Sequence, residues 1–293
     1  MRLLVTGGSG FIGRHLREQL ADSHDVLAPP STELDLLDER KVADYLAANA
    51  FDVVLHAATW NATTTSAKDV SRVLESNLRM FFNLARRDDC FGKMIYYGSG
   101  AEFSRPHYEP RMSERYFGAH VPADDYGLSK YLMSLHAEHS AKIWNLRLFG
   151  VFGRYEDWRI RFISNACCRA VHDQPITIRQ NVRFDYLHVS DLVRITRWFL
   201  EHSPEERVFN VCTGRAHELQ ALAGMVLEAA GKDLPVRVET EGLGREYSGD
   251  NARLLAAMGA YTFRDMATSI GGLYAWYASQ ADQIDRAALL ARE

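Results

Sequence analysis

A short apolar run that leads directly into three regularly spaced glycines constrains this chain more than any other feature. Residues 3–6 predict a buried strand, and a helical pattern over 11–21 follows in the segment Thr6-Gly7-Gly8-Ser9-Gly10-Phe11-Ile12-Gly13. We assign Gly7 to the tight turn, Gly10 to close approach of a ligand, and Gly13 to close packing of helix on strand. The free N–H groups and positive dipole end of such a helix favour phosphate. Although the spacing is G-x-x-G-x-x-G rather than G-x-G-x-x-G, this setting predicts a dinucleotide site.

Short apolar runs alternate with helical patterns through the first half of the chain. The predicted strands are 3–6, 25–28, 53–56, 93–97 and 144–148, and the predicted helices are 11–21, 39–48, 70–87 and 126–141. Such alternation predicts a parallel sheet covered on both faces, with ligands bound beyond the carboxyl ends of its strands. We therefore predict an α/β fold in which residues 1–153 form a Rossmann-like, doubly wound domain that binds NAD(P).

The pattern changes after Gly153. Helical patterns cover 159–172, 191–202, 218–231 and 265–278, and extended ones cover 176–178, 185–188 and 208–211. We predict that 154–293 is mainly a smaller, partly interleaved substrate-binding domain, and that part of 180–212 returns to the first domain.

Charge and composition exclude several kinds of partner. The 293 residues carry a formal charge of −4, which gives no basic footprint for a nucleic acid polymer or a membrane surface. No apolar stretch approaches the roughly 20 residues that span a bilayer. The four cysteines lack metal-ligand spacing, and so do the histidines, so we predict a cytoplasmic protein with reduced thiols and no metal site.

A tyrosine and a lysine in the middle of the chain suit proton transfer beside a nicotinamide. In Asp125-Tyr126-Gly127-Leu128-Ser129-Lys130 the two side chains stand four residues apart, on one face of the predicted helix. The ammonium of Lys130 stabilises a phenolate, and it could also hold the nicotinamide ribose. Ser99, at the end of a predicted strand, supplies a third group that can orient a substrate carbonyl.

The residues after the second predicted strand bear on which dinucleotide binds. An acidic residue there usually hydrogen-bonds the ribose 2′-hydroxyl of NAD, whereas this chain has Ala28-Pro29-Pro30-Ser31. The missing negative charge admits a 2′-phosphate, so we favour NADP over NAD, with Ser31 and Arg14 as contacts. Two roles stay open for Asp35: a contact to adenine, or a cap on the helix that begins at Glu39.

The ordered set of motifs resembles the extended short-chain dehydrogenases/reductases, the group that contains nucleotide-sugar epimerases, 4,6-dehydratases and 4-ketoreductases. The resemblance covers almost the whole chain. Beyond the motifs above, it is carried by Asp52-Val53-Val54-Leu55-His56-Ala57-Ala58, Asn77, Arg147-Leu148-Phe149-Gly150-Val151-Phe152-Gly153, Asp185-Tyr186-Leu187-His188-Val189-Ser190-Asp191 and Phe209-Asn210-Val211.

The resemblance implies an NAD(P)-dependent enzyme with Ser99, Tyr126 and Lys130 as its catalytic triad. It also implies a nucleotide-sugar substrate, and a homodimer formed by the helices that begin near Val70 and Tyr126. Together with the contacts inferred above, the predicted cofactor-binding residues are Gly7, Gly10, Phe11, Ile12, Gly13, Arg14, Ser31, Asp35, Leu36, Ala57, Ala58, Asn77, Tyr126 and Lys130.

Departures from the family pattern exclude some of the family's reactions. In the 4,6-dehydratases an Asp-Glu pair follows the triad serine or threonine, whereas Gly100 and Ala101 stand here and neither can transfer a proton. Reductases resembling GDP-fucose synthase also epimerise, using a cysteine where this chain has Ala101. We treat Glu102, the nearest carboxylate, as structural.

Two reactions remain, both of which transfer hydride at a single carbinol carbon: net reduction with exchangeable NADPH, or 4-epimerisation with retained NAD. The segment Glu33-Leu34-Asp35-Leu36-Leu37-Asp38 and the missing acid at Pro30 favour a 4-ketoreductase of a nucleotide-activated 4-keto-6-deoxy sugar. A third alternative, an NADP-binding regulator without turnover, fits less well because such proteins typically lose the tyrosine or the lysine.

On the substrate side the chain departs from the family at two positions. The family often has asparagine where Gly150 stands and arginine where Phe184 stands, both near the sugar-nucleotide pyrophosphate. The neighbouring Arg183 could substitute, as could Arg161 or Arg179, although ordinary solvated arginine is an equally good interpretation. The predicted substrate-binding residues are Ser99, Gly100, Arg161 and Arg183.

Overall fold

The protein is built around a parallel β-sheet. The computed structural model describes residues 1–60, 63 and 66–290. Its strands are β1 (Arg2–Thr6), β2 (Asp25–Leu27), β3 (Phe51–His56), β4 (Phe91–Ser99), β5 (Ile143–Leu148), β6 (Gly150–Phe152), β7 (Ile176–Asn181), β8 (Arg183–His188), β9 (Val208–Val211), β10 (Ala216–Glu218) and β11 (Val236–Leu243). Six of them form the central sheet in the order β2-β1-β3-β4-β5-β9, and every neighbouring pair is parallel.

Helices cover both faces of this sheet. The helices of the described residues are α1 (Phe11–Leu20), α2 (Glu39–Ala48), α3 (Val73–Ala85), α4 (Asp125–Glu138), α5 (Phe162–Val171), α6 (Val189–Glu201), α7 (Leu219–Ala230), α8 (Ala252–Met258), α9 (Met266–Ala278) and α10 (Arg286–Leu290). Of these, α1, α2, α3, α4 and α6 cover the central sheet. None of these helices in the described part of the chain is long and apolar enough to cross a membrane.

Alternation along the strands divides the core into two layers. Leu3 and Val5 pack in one cluster with residues of α1 and α6, whereas Leu4 packs in another with residues of α2, α3 and α4. The same alternation turns Tyr97 towards α6 and Tyr96 towards α3 and α4. Because successive side chains of a strand point to opposite faces, continuous apolar runs are what a sheet covered on both sides requires. The predicted α/β fold with a doubly wound parallel sheet is confirmed.

The second half of the chain forms a third core between α5, α7 and α9. A two-stranded parallel sheet, β11-β7, packs against it, and a three-stranded sheet, β10-β8-β6, lies in the same half. Both α6 and β9 lie against the central sheet instead. Residues 291–293 of the predicted second domain lie outside the described residues.

Several predicted boundaries shift in the structure. The helix predicted over 70–87 begins as a 3-10 turn, Val70–Arg72, and that predicted over 159–172 begins at Phe162. The strand β11 and the helix α8 were not predicted. The outer side chains of β11 are largely exposed, so its sequence lacks the apolar run that marks a central strand.

Candidate active site

The predicted site residues gather where the parallel strands of the central sheet end. The glycine turn follows β1, Ala57 and Ala58 follow β3, and Ser99 is the last residue of β4. Parallel strands bring their carboxyl ends to one edge, so three segments distant in sequence become neighbours. Ala58 N donates a hydrogen bond to Thr6 Oγ1 at 3.3 Å, which joins the first two segments directly.

The glycine turn has no space for side chains at two of its glycines. Gly7 has φ +69°, and a Cβ there would lie 2.8 Å from Ala58 Cα. A Cβ on Gly13 would lie 2.1 Å from the Gly7 carbonyl oxygen, so α1 packs tightly on the turn. At Gly10 the only near atom among the described residues is the Gly7 oxygen, at 3.3 Å, which leaves the outer side of the turn open to a ligand.

The N-terminus of α1 is prepared for an anion. Gly10 is its N-cap, no side chain of the described residues caps it, and its first turn contains no acidic residue. Its leading N–H groups and its dipole therefore face the open side of the turn. This cradle fits the pyrophosphate of a dinucleotide, with Phe11 and Ile12, both half-buried, beside it.

Asn77 supports the loop after β3. Its Oδ1 accepts hydrogen bonds from Trp60 N at 2.7 Å and from Thr59 Oγ1 at 3.1 Å. Asn77 is 2% exposed. Its side-chain carbonyl is occupied by these hydrogen bonds, which hold in place the segment that follows Ala57 and Ala58. It thereby shapes the wall of the predicted cofactor site.

Beyond β2, the described residues include no carboxylate before Glu33. Ser31 is exposed and Leu36 is buried. Asp35 Oδ1 accepts a hydrogen bond from Leu37 N at 3.0 Å, whereas Asp38 caps α2 by accepting from Arg40 N and Lys41 N. Of the two roles left open for Asp35, the helix cap therefore belongs to Asp38.

Arg14 has partners of its own. Its Nε lies 2.9 Å from Glu18 Oε1, and its Cζ lies 3.7 Å from the centroid of the Tyr155 ring. Because the ion pair is solvent-exposed, it holds the side chain only weakly. The predicted contact of Arg14 with a 2′-phosphate stays a prediction, and it requires the guanidinium to leave or share these partners.

Tyr126 and Lys130 lie one turn apart on α4, as predicted from their spacing. Asp124 caps this helix by accepting from Gly127 N at 2.9 Å, which fixes the turn that holds Tyr126. Lys130 is 4% exposed, its Nζ donates to the Tyr97 carbonyl at 3.2 Å, and it lies 5.7 Å from the centroid of the Tyr126 ring. No carboxylate of the described residues forms an ion pair with Lys130, so a phenolate is a natural counter-charge.

His56 is buried, and it lies close enough to Lys130 for the charge of the ammonium to act on its pKa. Burial and, to a smaller extent, the positive charge of Lys130 together lower the pKa of His56 to about 3. Its Nδ1 lies 2.8 Å from Thr6 Oγ1. His56 is therefore a neutral core residue rather than an acid or base of the site.

Ser99 lies in a turn that also contacts the start of α4. Its Oγ accepts a hydrogen bond from Ala101 N at 3.1 Å, and its own N–H donates to Glu102 Oε1 at 2.9 Å. A Cβ on Gly127 would lie 2.9 Å from the Ala101 carbonyl oxygen, so the Tyr126 end of α4 packs on this turn. The structure thus brings the three predicted catalytic residues together.

The main residue that sequence reasoning missed is Tyr247. Its hydroxyl lies against Gly100, where an added Cβ would be 2.4 Å away, and close enough to the Ser99 side chain for the hydroxyl of Ser99 to act on the Tyr247 pKa. Burial raises the pKa of Tyr247 above its ordinary range. Three further rings surround it, those of Phe184 at 4.8 Å and of Tyr108 and Phe149 at 5.2 Å. Phe149 lies within a motif quoted above and Phe184 at a noted departure, but no local motif marks Tyr108 or Tyr247, so the meeting of these rings beside Ser99 could not be found from sequence.

The two departures at Gly150 and Phe184 are physically linked. A Cβ on Gly150 would lie 2.8 Å from Phe184 Cε1 and 2.6 Å from the Asp185 carbonyl oxygen. The Phe184 ring therefore fills the space that a side chain at Gly150 would need. Neither position can supply a polar contact to a pyrophosphate.

The two predicted substrate arginines lie in different places. Arg183 pairs with Glu218 at 3.3 Å and lines an open cleft of about 500 Å³ together with Glu246 and Ser248. Adjacent residues of a strand face opposite sides, so Arg183 points away from the face on which Phe184 stacks against Tyr247. Its proximity in sequence to Phe184 does not bring it to the Ser99 side.

Arg161 does not line the cleft that contains Arg183. It is the N-cap residue of α5. Its charge acts on Tyr186 and on the buried Glu156, whose pKa burial raises to about 8. Tyr186 stacks on Phe184 at 4.6 Å, so Arg161 is near the aromatic wall.

Among the described residues no cluster of three or more metal-ligating side chains occurs.

The chain is similar in sequence to a known protein family and to individual known proteins. Residues 3–212 match the sequence profile of the NAD dependent epimerase/dehydratase family. GDP-6-deoxy-D-mannose reductase of Pseudomonas aeruginosa is 26% identical over 269 residues, 80% of this chain and 82% of that protein. UDP-glucose 4-epimerase of Bacillus subtilis is also 26% identical, over 290 residues, 81% of this chain and 84% of that protein.

Solved structures share the fold over nearly the whole chain. The GDP-mannoheptose C4 reductase of Campylobacter jejuni, solved with NADP bound, superposes with a TM-score of 0.82 at 15% identity and covers 94% of this chain and 98% of its own. This likeness concerns the fold, and the sequence relatives include both a reductase and an epimerase.

Proposed function

The chain belongs to the NAD dependent epimerase/dehydratase family and is an NAD(P)-dependent enzyme of oxidoreductase type, and on that premise we propose that it reduces the 4-keto group of a nucleotide-activated 4-keto-6-deoxy sugar with NADPH. The observation that carries the proposal is the composition of the turn beside Ser99. Gly100 and Ala101 cannot transfer protons, and Glu102 is held in a buried ion pair with Arg147. One proton donor and one hydride are what the reduction of a ketone needs.

In this reaction the Tyr126 hydroxyl donates its proton to the C4 carbonyl oxygen. The Ser99 hydroxyl donates a hydrogen bond to the same oxygen, and the Lys130 ammonium stabilises the phenolate that Tyr126 becomes. The bound nicotinamide supplies the hydride for the carbonyl carbon. The glycine turn and α1 would hold the pyrophosphate of the cofactor, and the loop supported by Asn77 would flank it.

The aromatic wall supports a deoxy sugar. Tyr108, Phe149, Phe184 and Tyr247 place apolar ring faces opposite Ser99 and Gly100. The methyl group of a 6-deoxy sugar suits the ring faces of this wall, because a C6 hydroxyl that lay against a ring face would lose hydration there. The relative named as a GDP-6-deoxy-D-mannose reductase makes GDP the first nucleotide to test.

The preference for NADP rests on the end of β2. Ser31 is exposed, and no carboxylate stands there to bind a ribose 2′-hydroxyl or repel a 2′-phosphate. Asp35, the nearest candidate for an adenine contact, already accepts Leu37 N.

A second candidate, 4-epimerisation with retained NAD, is favoured by the relative named as a UDP-glucose 4-epimerase, which is as similar in sequence as the reductase. The same three catalytic residues would serve it. The two functions differ in whether the dinucleotide leaves after each turnover.

The test begins with the purified protein. Its co-purifying dinucleotide is assayed first, and then NADPH and NADH are titrated calorimetrically. We expect the protein to purify without a bound dinucleotide, to bind NADPH with a micromolar Kd, and to bind NADH more weakly. We also expect it to oxidise NADPH when a GDP-linked 4-keto-6-deoxy sugar is added. Tightly retained NAD, and interconversion of 4-epimers without added dinucleotide, would instead establish the epimerase.

A further inference from the structure

A buried ion pair lies directly beneath Ser99. The side chains of Glu102 and Arg147 are both inaccessible to solvent, and Arg147 Nε lies 2.6 Å from Glu102 Oε2. The Asn145 amide donates to both oxygens of the same carboxylate, at 3.1 Å each. Removing two ions from water costs solvation free energy that their mutual attraction only partly offsets, so stability alone does not explain such a pair.

The pair is connected to Ser99 through the turn that follows β4. Ser99 N donates to Glu102 Oε1 at 2.9 Å, and Ala101 N donates to Ser99 Oγ at 3.1 Å. With one lone pair of the hydroxyl taken by Ala101 N–H, its single hydrogen can point at the neighbouring Tyr247 hydroxyl or, when substrate binds, at the incoming oxygen. A Cβ on Gly98 would lie 2.1 Å from Glu102 Oε1, so the carboxylate is also packed tightly against the strand.

The same ion pair reaches the segment that carries Tyr247. Arg147 Nη1 donates to Asn210 Oδ1 at 3.2 Å. Asn210 Nδ2 in turn donates to the Asp250 carbonyl at 3.1 Å, three residues beyond Tyr247. The polar network therefore connects the two walls of the proposed substrate site.

We propose that Glu102 and Arg147 are positioning residues: through the backbone of the turn they set the direction of the Ser99 hydroxyl towards the substrate oxygen. This inference rests on the proposed function, because Ser99 must act on the oxygen of a carbonyl or carbinol. Neither residue transfers a proton. Their effect on kcat passes through Ser99.

The experiment removes both charges together. The double variant Glu102→Leu, Arg147→Met keeps similar volume and leaves no unpaired buried ion. It is expected to fold and to bind NADPH with unchanged Kd, while kcat falls about 10- to 100-fold, a fraction of what loss of an oxyanion donor causes, and KM changes less. In a Ser99→Ala background the same double substitution is expected to leave kcat nearly unchanged, because residues that act through one another are not additive.

Two further variants separate positioning from stability. Glu102→Gln keeps an acceptor for Ser99 N–H and is expected to retain more kcat than Glu102→Leu. Asp191→Asn alters another buried carboxylate, on α6, which accepts from the Tyr261 hydroxyl and from Arg264 N in the segment that follows α8. It is expected to lower the melting temperature without lowering kcat.

A measurement without substrate keeps the two proposals distinguishable. Hydrogen exchange of the Ser99 amide, followed in the NADPH-bound protein, is expected to accelerate in the double variant. Unchanged exchange, or the same loss of kcat with and without Ser99, would overturn the positioning role. If the wild type reduces no 4-keto sugar nucleotide, the proposed function fails, and the exchange measurement still decides whether Glu102 and Arg147 hold Ser99.

Discussion

The predicted cofactor side and the substrate side of this site are assembled in different ways. The cofactor side uses short stretches at the ends of neighbouring parallel strands, in which tight backbone packing at Gly7 and Gly13 defines the shape. The substrate side is a wall of rings from four distant segments, which contribute Tyr108, Phe149 and Phe184 around Tyr247. Backbone geometry specifies the first, and tertiary packing specifies the second. Substitutions should therefore affect cofactor binding and substrate binding separately.

Loss of the proposed proton donor should give the largest effect and leave both sides intact. Tyr126→Phe is expected to lower kcat by about 10³-fold, because the phenol supplies the proton in the transition state. Calorimetry should give an NADPH Kd close to that of the wild type. Tyr45→Phe, on α2, is the matched control with expected wild-type kcat, and a Tyr126→Phe variant that kept its kcat would remove the phenol from the mechanism.

A methyl group in the glycine turn should damage the cofactor side alone. Gly13→Ala puts a Cβ 2.1 Å from the Gly7 oxygen, and the displacement of α1 is expected to weaken NADPH binding about 100-fold and to destabilise the fold by about 1–3 kcal/mol. Titration calorimetry and urea unfolding measure the two effects. Gly224→Ala on α7, where no atom of the described residues beyond the adjacent helix turn lies within 4 Å of the new methyl, should instead stabilise by about 0.5–1 kcal/mol. Equal behaviour of the two variants would contradict the packing role of Gly13.

Opening the aromatic wall should damage the substrate side alone. Tyr247→Ala is expected to raise KM about tenfold, as expected for loss of a buried aromatic contact, while the Kd for NADPH stays unchanged. Tyr247→Phe, which keeps the ring and loses only the hydroxyl, should show a smaller increase. If Tyr247→Ala weakened NADPH binding as strongly as substrate binding, the two sides would not be separate.

The last contrast concerns the free energy of unfolding, which depends on pH in opposite directions on the two sides. Burial lowers the pKa of His56 from 6.5 to about 3, so stability falls as pH drops below 6.5, where the unfolded chain binds the proton and the folded protein does not. Burial raises the pKa of Glu156 from 4.5 to about 8, so stability falls as pH rises from 4.5 towards 8, because the folded protein keeps a proton that the unfolded chain has lost.

Urea unfolding at a series of pH values checks this contrast. Glu156→Gln should flatten the decrease towards pH 8, with a relative gain of the order of a few kcal/mol at the alkaline end. His56→Asn should flatten only the acid limb. The contrast fails if Glu156→Gln leaves the alkaline limb unchanged.

The cofactor side could be predicted from the sequence because the residues that define it lie close together along the chain. The spacing of Gly7, Gly10 and Gly13, and the four-residue step from Tyr126 to Lys130, each determine neighbours within one turn or helix. The parallel sheet then brings these stretches and Ser99 to one edge. The fold class follows from the same alternation of strands and helices.

The substrate side could not be predicted from spacing. Tyr247 reaches Ser99 only because its backbone pairs with β8, through bonds from Tyr247 N to the Arg183 carbonyl and from Asp185 N to the Tyr247 carbonyl. The expectation that Arg183 could replace an arginine at Phe184 overlooked the pleat of the strand, since a one-residue step reverses the face. The pairing of Gly150 with the Phe184 ring likewise becomes visible only when two strands are placed side by side.

The most direct test of the central claim is a single-turnover reaction with NADPH deuterated at C4 of the nicotinamide and a GDP-linked 4-keto-6-deoxy sugar. We predict that the sugar product carries one deuterium at C4 and that one equivalent of NADP⁺ is released for each product molecule. No deuterium in the sugar and no oxidation of the added NADPH, together with interconversion of 4-epimers when the corresponding 4-hydroxy sugar nucleotide is supplied instead, would contradict the reductase and establish hydride transfer through a retained dinucleotide.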